Sequence, residues 1–127
     1  MMKAVLDTSV LIASGVPVLN GELAISAASL AELHFGVLVT TDSGVRAERL
    51  RRLVGLQQRF DPLPVDDDVA ASYGRLAAAM VEAGRKPRAR VMDLLIAATA
   101  HAHGARLYTR NAEDLRGVDH LIEVVAV

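Results

Sequence analysis

The chain contains no cysteine. That absence removes disulfides, thiolate zinc sites and cysteine nucleophiles together, so any metal it binds must be held by oxygen or imidazole. Aromatic residues make up only 3% of the sequence, too few for base stacking to be the main grip on a nucleic acid. Long apolar runs are missing as well. Hydrophobic residues reach 52%, yet the longest stretch lies around Leu94 to Ala100, well short of the roughly 18 to 20 residues that span a bilayer. At the N-terminus, Asp7 interrupts the apolar start before a signal-peptide core develops. The expectation is a cytoplasmic protein with no membrane span. No Gly-rich phosphate loop or GxSxG elbow occurs, and Asp7-Thr8-Ser9 lacks the second aspartate of a DxD-type phosphohydrolase. The net charge of −1 offers no bulk attraction for a polyanion.

With 127 residues, the chain reads as one domain, 1–127, able to bury roughly two-thirds of the surface its unfolded form exposes. Short apolar runs at Met2–Leu6, Glu22–Ile25, Arg106–Thr109 and Ile122–Val125 read as strands, and Phe60–Val65 as a brief extended piece weakened by Pro62 and Pro64. Helical segments are expected from Ser26 or Ser29 to about Leu38, over Val45–Arg59, from Asp66 to Gly84, and over Met92–His103, with short turns at Val10–Ala13 and Ala112–Leu115. Such alternation indicates an α/β fold with a mainly parallel sheet. Ligands of such sheets bind beyond the carboxyl ends of the strands, which puts Asp7, Asn111 and Asp114 at one rim.

Four isolated carboxylates, Asp7, Glu32, Asp93 and Asp114, lie in apolar settings. A carboxylate is costly to remove from water unless something pairs with it, so four that converge would make a cation site. Each also has a local structural explanation. Asp7 could cap the turn after it. Glu32 could close a capping box with Ser29, or lie inside a helix begun at Ser26, among the small neighbours Ala28, Ser29 and Gly36. Asp93 could be the N-cap of its helix, and Asp114 a surface acid. Asp66, Asp67 and Asp68 need no metal, because acids favour the positive end of a helix dipole. His101 and His103 are two residues apart and diverge on a helix, which makes a zinc pair a poor reading.

Twelve of the fourteen basic residues are arginine, whose planar fork matches phosphate oxygens. They cluster at Arg46, Arg49, Arg51 and Arg52, which could be a solvated helix face or a partner surface, and at Arg85, Lys86, Arg88 and Arg90, just before Asp93. The second cluster is the stronger candidate for function, and with Arg110 it is the candidate for contacts with phosphates.

Taken in order, Val5-Leu-Asp7-Thr-Ser-Val-Leu-Ile-Ala13, Ser29-Leu-Ala-Glu32-Leu-His-Phe-Gly36, Asp93-Leu-Leu-Ile-Ala-Ala-Thr-Ala100 and Leu107-Tyr-Thr109-Arg-Asn111-Ala-Glu-Asp114 resemble the PIN-domain ribonucleases, and among them the VapC toxins of type II toxin–antitoxin pairs. The resemblance implies a three-layer α/β/α sandwich around a mainly parallel sheet. It implies Asp7, Glu32, Asp93 and Asp114 as the catalytic acids, with Thr109 and Asn111 in support. Leu115 departs from the aromatic residue common after the last aspartate, and Asn111 is neutral at a position that is polar or acidic in the family. Hard oxygen donors favour Mg²⁺ or Mn²⁺, with Asp7, Asp93 and Asp114 as the first choices for the metal shell and Glu32 as ligand or water-orienting base. The family resemblance further implies an endoribonuclease that leaves 5′-phosphate and 3′-hydroxyl ends, cuts transfer RNA by first expectation, forms a homodimer and binds a small antitoxin. A housekeeping PIN nuclease in RNA processing and a non-catalytic protein-binding module are the alternatives.

Overall fold

A computed structural model describes residues 1–127. In chain order the elements are β1 (Lys3–Leu6), α1 (Thr8–Leu11), β2 (Glu22–Ala24), α2 (Ala27–Val39), α3 (Ser43–Arg59), α4 (Asp67–Glu82), α5 (Val91–Ala102), β3 (Arg106–Thr109) and β4 (Val124–Ala126). Single 3₁₀ turns at Pro87–Arg90 and Ala112–Leu115 lead into α5 and follow β3. The four strands form one parallel sheet in the order β2-β1-β3-β4. No helix is long and apolar enough to cross a membrane.

Alternation along the strands divides the core into two layers. Val5 and Leu107 point to one face, where they join Val69, Leu76 and Met80 of α4 and Leu94, Ile96 and Ala97 of α5. Ala4, Leu6 and Tyr108 point to the other, with Val10 of α1 and partly buried Leu11, Val16, Leu19 and Leu30. The sheet is thus the middle of three layers, thick on the α4/α5 side and thin on the α1 side. The small side chains of Ala-rich α5 allow the close approach that fully buries Ala97, Ala98 and Ala100. Gly21 serves the entry to β2: its φ is +113, and a Cβ there would stand 2.8 Å from the Met2 carbonyl oxygen.

Several boundaries differ from the sequence expectation for local reasons. α3 starts at Ser43 rather than Val45 because Asp42 Oδ1 accepts the Val45 N–H at 2.9 Å. The Phe60–Val65 piece contributes only a single parallel bridge, Leu63 to Ser26, as its two prolines would suggest. Asp66 caps α4 through the Val69 N–H, with Asp67 and Asp68 in the first turn. Arg90, not Asp93, occupies the cap position of α5, because the 3₁₀ turn begun at Pro87 feeds straight into the helix.

Candidate active site at the carboxyl ends of the strands

β1 ends at Leu6 and β3 at Thr109, adjacent parallel strands whose carboxyl ends open on the same side. Asp7 follows β1 at once and is buried, 7% exposed. Its N–H bonds to the Tyr108 carbonyl at 2.9 Å, which continues the β1–β3 ladder by one step and fixes where the side chain starts. Asp7 Oδ2 then accepts from the Ser9 N–H and hydroxyl and, at 3.0 Å, from Thr109 Oγ1. Burying a carboxylate is costly unless such donors meet it. Asp7 is therefore both the helix cap and a site residue, and no protein donor engages its Oδ1.

The two hydroxyls that hold Asp7 are themselves held. Thr109 Oγ1 accepts the Asn111 N–H at 3.0 Å, and Ser9 Oγ accepts the Arg110 N–H at 3.0 Å. The loop after β3 is thereby tied to Asp7 through two side chains. Asn111 contributes its backbone to this relay, while its side chain is exposed and makes no hydrogen bond.

Glu32 comes from α2, whose N-cap is Ser26. Ser26 Oγ accepts the Ala28 N–H at 3.1 Å and lies 3.0 Å from Thr99 Oγ1 of α5, both residues being fully buried. That buried pair fixes the start of α2, so the Ser29 capping box does not form and Glu32 sits in the second turn of the helix. There Thr8 Oγ1 donates to Glu32 Oε1 at 2.7 Å, with Ser29 Oγ 3.0 Å from the same hydroxyl. Thr8 and Ser9 were legible as part of a motif, but their separate tasks, one for each acid, were not.

Asp93 lies in the first turn of α5 and is half-buried; no hydrogen bond or ion pair engages its side chain. Burial holds its pKa above the ordinary carboxylate value, and the negative charges of Asp7, Glu32 and Asp114 raise it further, against a lowering by Arg90. Three carboxylates from other parts of the chain thus act on Asp93. Asp114, in the 3₁₀ turn after β3, pairs with Arg90 Nη2 at 3.2 Å. No group of three or more acids or histidines stands in an arrangement that could hold a metal ion; Asp7, Glu32 and Asp114 each face a partner within the chain. The donors nonetheless suit a hard divalent cation: they are all oxygen, they share excess negative charge, and Asp93 has nothing else to pair with.

The basic residues separate into different tasks. Arg85 directs Nη1 at the carbonyl oxygens of Glu113, Asp114 and Arg116, which anchors the Asp114 turn to the end of α4. Arg90 faces Asp114. Lys86, Arg88 and Arg110 are exposed and have no side-chain partner, so they remain available to a phosphate backbone. Two clefts are lined in part by these residues. One, lined by Glu32, Arg90 and Asp93, measures about 260 Å³; another, lined by Ser9, Arg110 and Asn111, about 430 Å³. The histidines stay outside: His101 Nδ1 is 2.8 Å from Ser72 Oγ, between α4 and α5.

A parallel sheet in this order, with acids at its carboxyl rim, has the arrangement of a PIN domain, and the family model described as PIN domain matches residues 4–121. Ribonuclease VapC5 of Mycobacterium tuberculosis is 35% identical over 97% of this chain and 94% of its own length. Ribonuclease VapC4 of the same organism is 34% identical over 84% of this chain and 78% of its own. The crystal structure of VapBC-5 from M. tuberculosis, a member of the VapBC family of toxin–antitoxin systems, superposes with a TM-score of 0.88 at 35% identity, covering all of both chains. The chain belongs to the PIN-domain family, in its VapC branch.

Proposed function

We propose that this chain is the toxin of a type II toxin–antitoxin pair, an endoribonuclease that hydrolyses RNA phosphodiester bonds with Mg²⁺ or Mn²⁺ and leaves 5′-phosphate and 3′-hydroxyl ends. The observation that carries the chemistry is geometric: Asp7 and Asp114 follow adjacent parallel strands at their carboxyl ends, with Glu32 of α2 and half-buried Asp93 of α5 near enough that Asp7, Glu32 and Asp114 raise the Asp93 pKa. Negative charge concentrated at the mouth of a parallel sheet is the electrostatic setting of a divalent-metal hydrolase. Asp7, Asp93 and Asp114 would hold the ion, with Glu32 beside them. When bound, the cation supplies Lewis-acid stabilisation of the developing charge and a more acidic water.

The chain's own residues prepare that site. Ser9 and Thr109 saturate Asp7 Oδ2 and leave Oδ1 free for a ligand. Thr8 holds Glu32 in one orientation, with its second oxygen free to accept a proton from an attacking water. Arg110, exposed after β3, would meet the scissile phosphate, and Lys86 and Arg88 would hold the strand on the α5 side. The family resemblance extends the substrate to transfer RNA, ahead of ribosomal RNA.

A cognate antitoxin is the proposed partner, in keeping with the toxin–antitoxin description of the VapBC-5 structure, and the action is proposed to be cytoplasmic. Phe35 and Leu38 of α2, 67% and 76% exposed, and Leu50 and Val54 of α3 leave apolar surface uncovered, as a homodimer or an antitoxin contact would require. Expression without the antitoxin, followed by mapping of new RNA ends, tests this function. New ends that ligate only through a 5′-phosphate and concentrate in one class of RNA are expected. Growth arrest without new RNA ends would contradict it.

A further inference from the structure

A cleft of about 410 Å³ lies between α1, α2 and α3, within the range of roughly 300–1,000 Å³ common for ligand sites. It is lined by Thr8 and Glu32, which belong to the acidic site, by Arg49 and Arg52 of α3, and by Ile12, Leu33 and Gly36. The sequence left these arginines open between a solvated helix face and a partner surface. Their placement decides more. The ion pairs in the structure are Arg90–Asp114 and Arg106–Glu123, so neither Arg49 nor Arg52 is neutralised by an acid.

Arg49 is also fixed in position. Its Nη1 donates at 2.7 Å to the carbonyl of Gly36, in the last turn of α2, where backbone acceptors lack helical partners. The nearest atom to a Cβ built on Gly36 would be Arg49 Nη1, at 3.9 Å, so the guanidinium lies directly over this residue. A guanidinium held by one nitrogen keeps its remaining N–H groups for a second acceptor. Arg46 does similar work on the Thr40 carbonyl at 2.6 Å, but it does not line the cleft. Arg52 lines it and makes no hydrogen bond, which leaves its whole fork free.

We infer that Arg49 and Arg52 form a phosphate subsite for the RNA strand next to the scissile bond, with Glu32 marking the border between the subsite and the acidic centre. This rests on the ribonuclease reading above. Two guanidiniums with no carboxylate partner, Arg52 wholly free and Arg49 held only through one nitrogen, line a cleft that reaches Glu32 and suit a backbone phosphate, which accepts bidentate N–H pairs. Ile12 and Leu33 would pack against the sugar or base that follows. An acidic peptide from a protein partner is the other anion the cleft could take, and the test separates the two.

Arg52 carries the test because it holds no part of the fold. The binding of a short fluorescein-labelled single-stranded RNA that the wild type cuts at one mapped position is measured by anisotropy in EDTA, over a series of salt concentrations. Arg52→Ala should weaken binding about tenfold and flatten the log–log salt slope by about 0.7, the value of one single-strand phosphate contact. Arg52→Lys should recover most of the slope and less of the affinity. With Mg²⁺, Arg52→Ala should raise KM with little change in kcat. Replacing the phosphates beside the cleavage position in turn by neutral methylphosphonate should reveal one that weakens the wild type and leaves Arg52→Ala unaffected.

Wild-type affinity and slope in Arg52→Ala, with cleavage by the wild type intact, would overturn the subsite alone. An Arg52→Ala variant that loses antitoxin affinity but keeps RNA affinity assigns the cleft to a peptide and also overturns it. A wild type that neither binds nor cuts the RNA brings down the ribonuclease reading and the subsite with it.

Discussion

Thr109 Oγ1 donates to Asp7 Oδ2 at 3.0 Å, joining the ends of two strands that lie 102 residues apart in sequence. The same oxygen accepts the Asn111 N–H, so the hydroxyl passes the position of the loop after β3 to the acid after β1. Thr109→Val keeps the shape and removes the donor. Loss of a residue that orients a metal ligand costs about 10- to 100-fold in metal affinity or activity. That loss is expected in kcat/KM and in the Mg²⁺ titration midpoint, with Thr109→Ser close to wild type. Wild-type cleavage by folded Thr109→Val would show that Asp7 needs no such support.

Asp93 makes a prediction of opposite sign for stability and for activity. Its folded-state pKa is raised, so the folded chain binds this proton more tightly than the unfolded chain does. The ionised carboxylate then opposes folding at every pH above the folded value, and the penalty fades as pH falls towards the unfolded value. Asp93→Asn should therefore raise Tm at neutral pH without divalent metal while abolishing cleavage. The advantage should shrink on acidification through the raised pKa. Thermal unfolding of both proteins across pH checks this, and a lower Tm for Asp93→Asn at neutral pH would contradict it.

Divalent metal should remove the same penalty. A ligand that binds only the folded state stabilises by about 2.7 kcal/mol at one hundred times its Kd, so Mg²⁺ or Mn²⁺ should raise the wild-type Tm and EDTA should restore the original value. Asp93→Asn should respond much less at equal metal concentration. Equal shifts in both would place the ion elsewhere on the protein.

Arg85 and Arg88 are neighbours in sequence with different work. Arg85 holds three main-chain carbonyls around the Asp114 turn; Arg88 holds nothing. Arg85→Ala should lose about 0.5–1.5 kcal/mol of stability, the usual net value of an intramolecular hydrogen bond, as read by denaturant unfolding. Arg88→Ala should leave stability unchanged and flatten the salt slope of RNA binding by about 0.7.

Much of this architecture is legible in the sequence because its signals are local. β3 at Arg106–Thr109 and the turn at Ala112–Leu115 follow from an apolar run bounded by Gly104 and by polar residues, and the structure places them at those residues. Membership in the PIN family was legible because four short motifs keep their order and separation. What local signals could not supply were the partners. Whether Glu32 closes a capping box or sits inside the helix depends on the buried contact of Ser26 with Thr99, 73 residues away. Asp93 reads as a cap because nothing nearby in sequence shows that the Pro87–Arg90 turn would run directly into α5. The anchoring role of Arg85, likewise, depends on a turn reached only after α5 and β3 have been laid down.

The most direct test of the four acids as a cleavage centre is RNA hydrolysis by purified wild type, Asp7→Asn and Asp93→Asn, matched for folded fraction, with Mg²⁺ and then with EDTA. Cleavage by the wild type in Mg²⁺, its loss on chelation, and at least about 100-fold slower cleavage by both variants is the predicted result. Cleavage that persists in EDTA, or that either folded variant carries out at the wild-type rate, would contradict it.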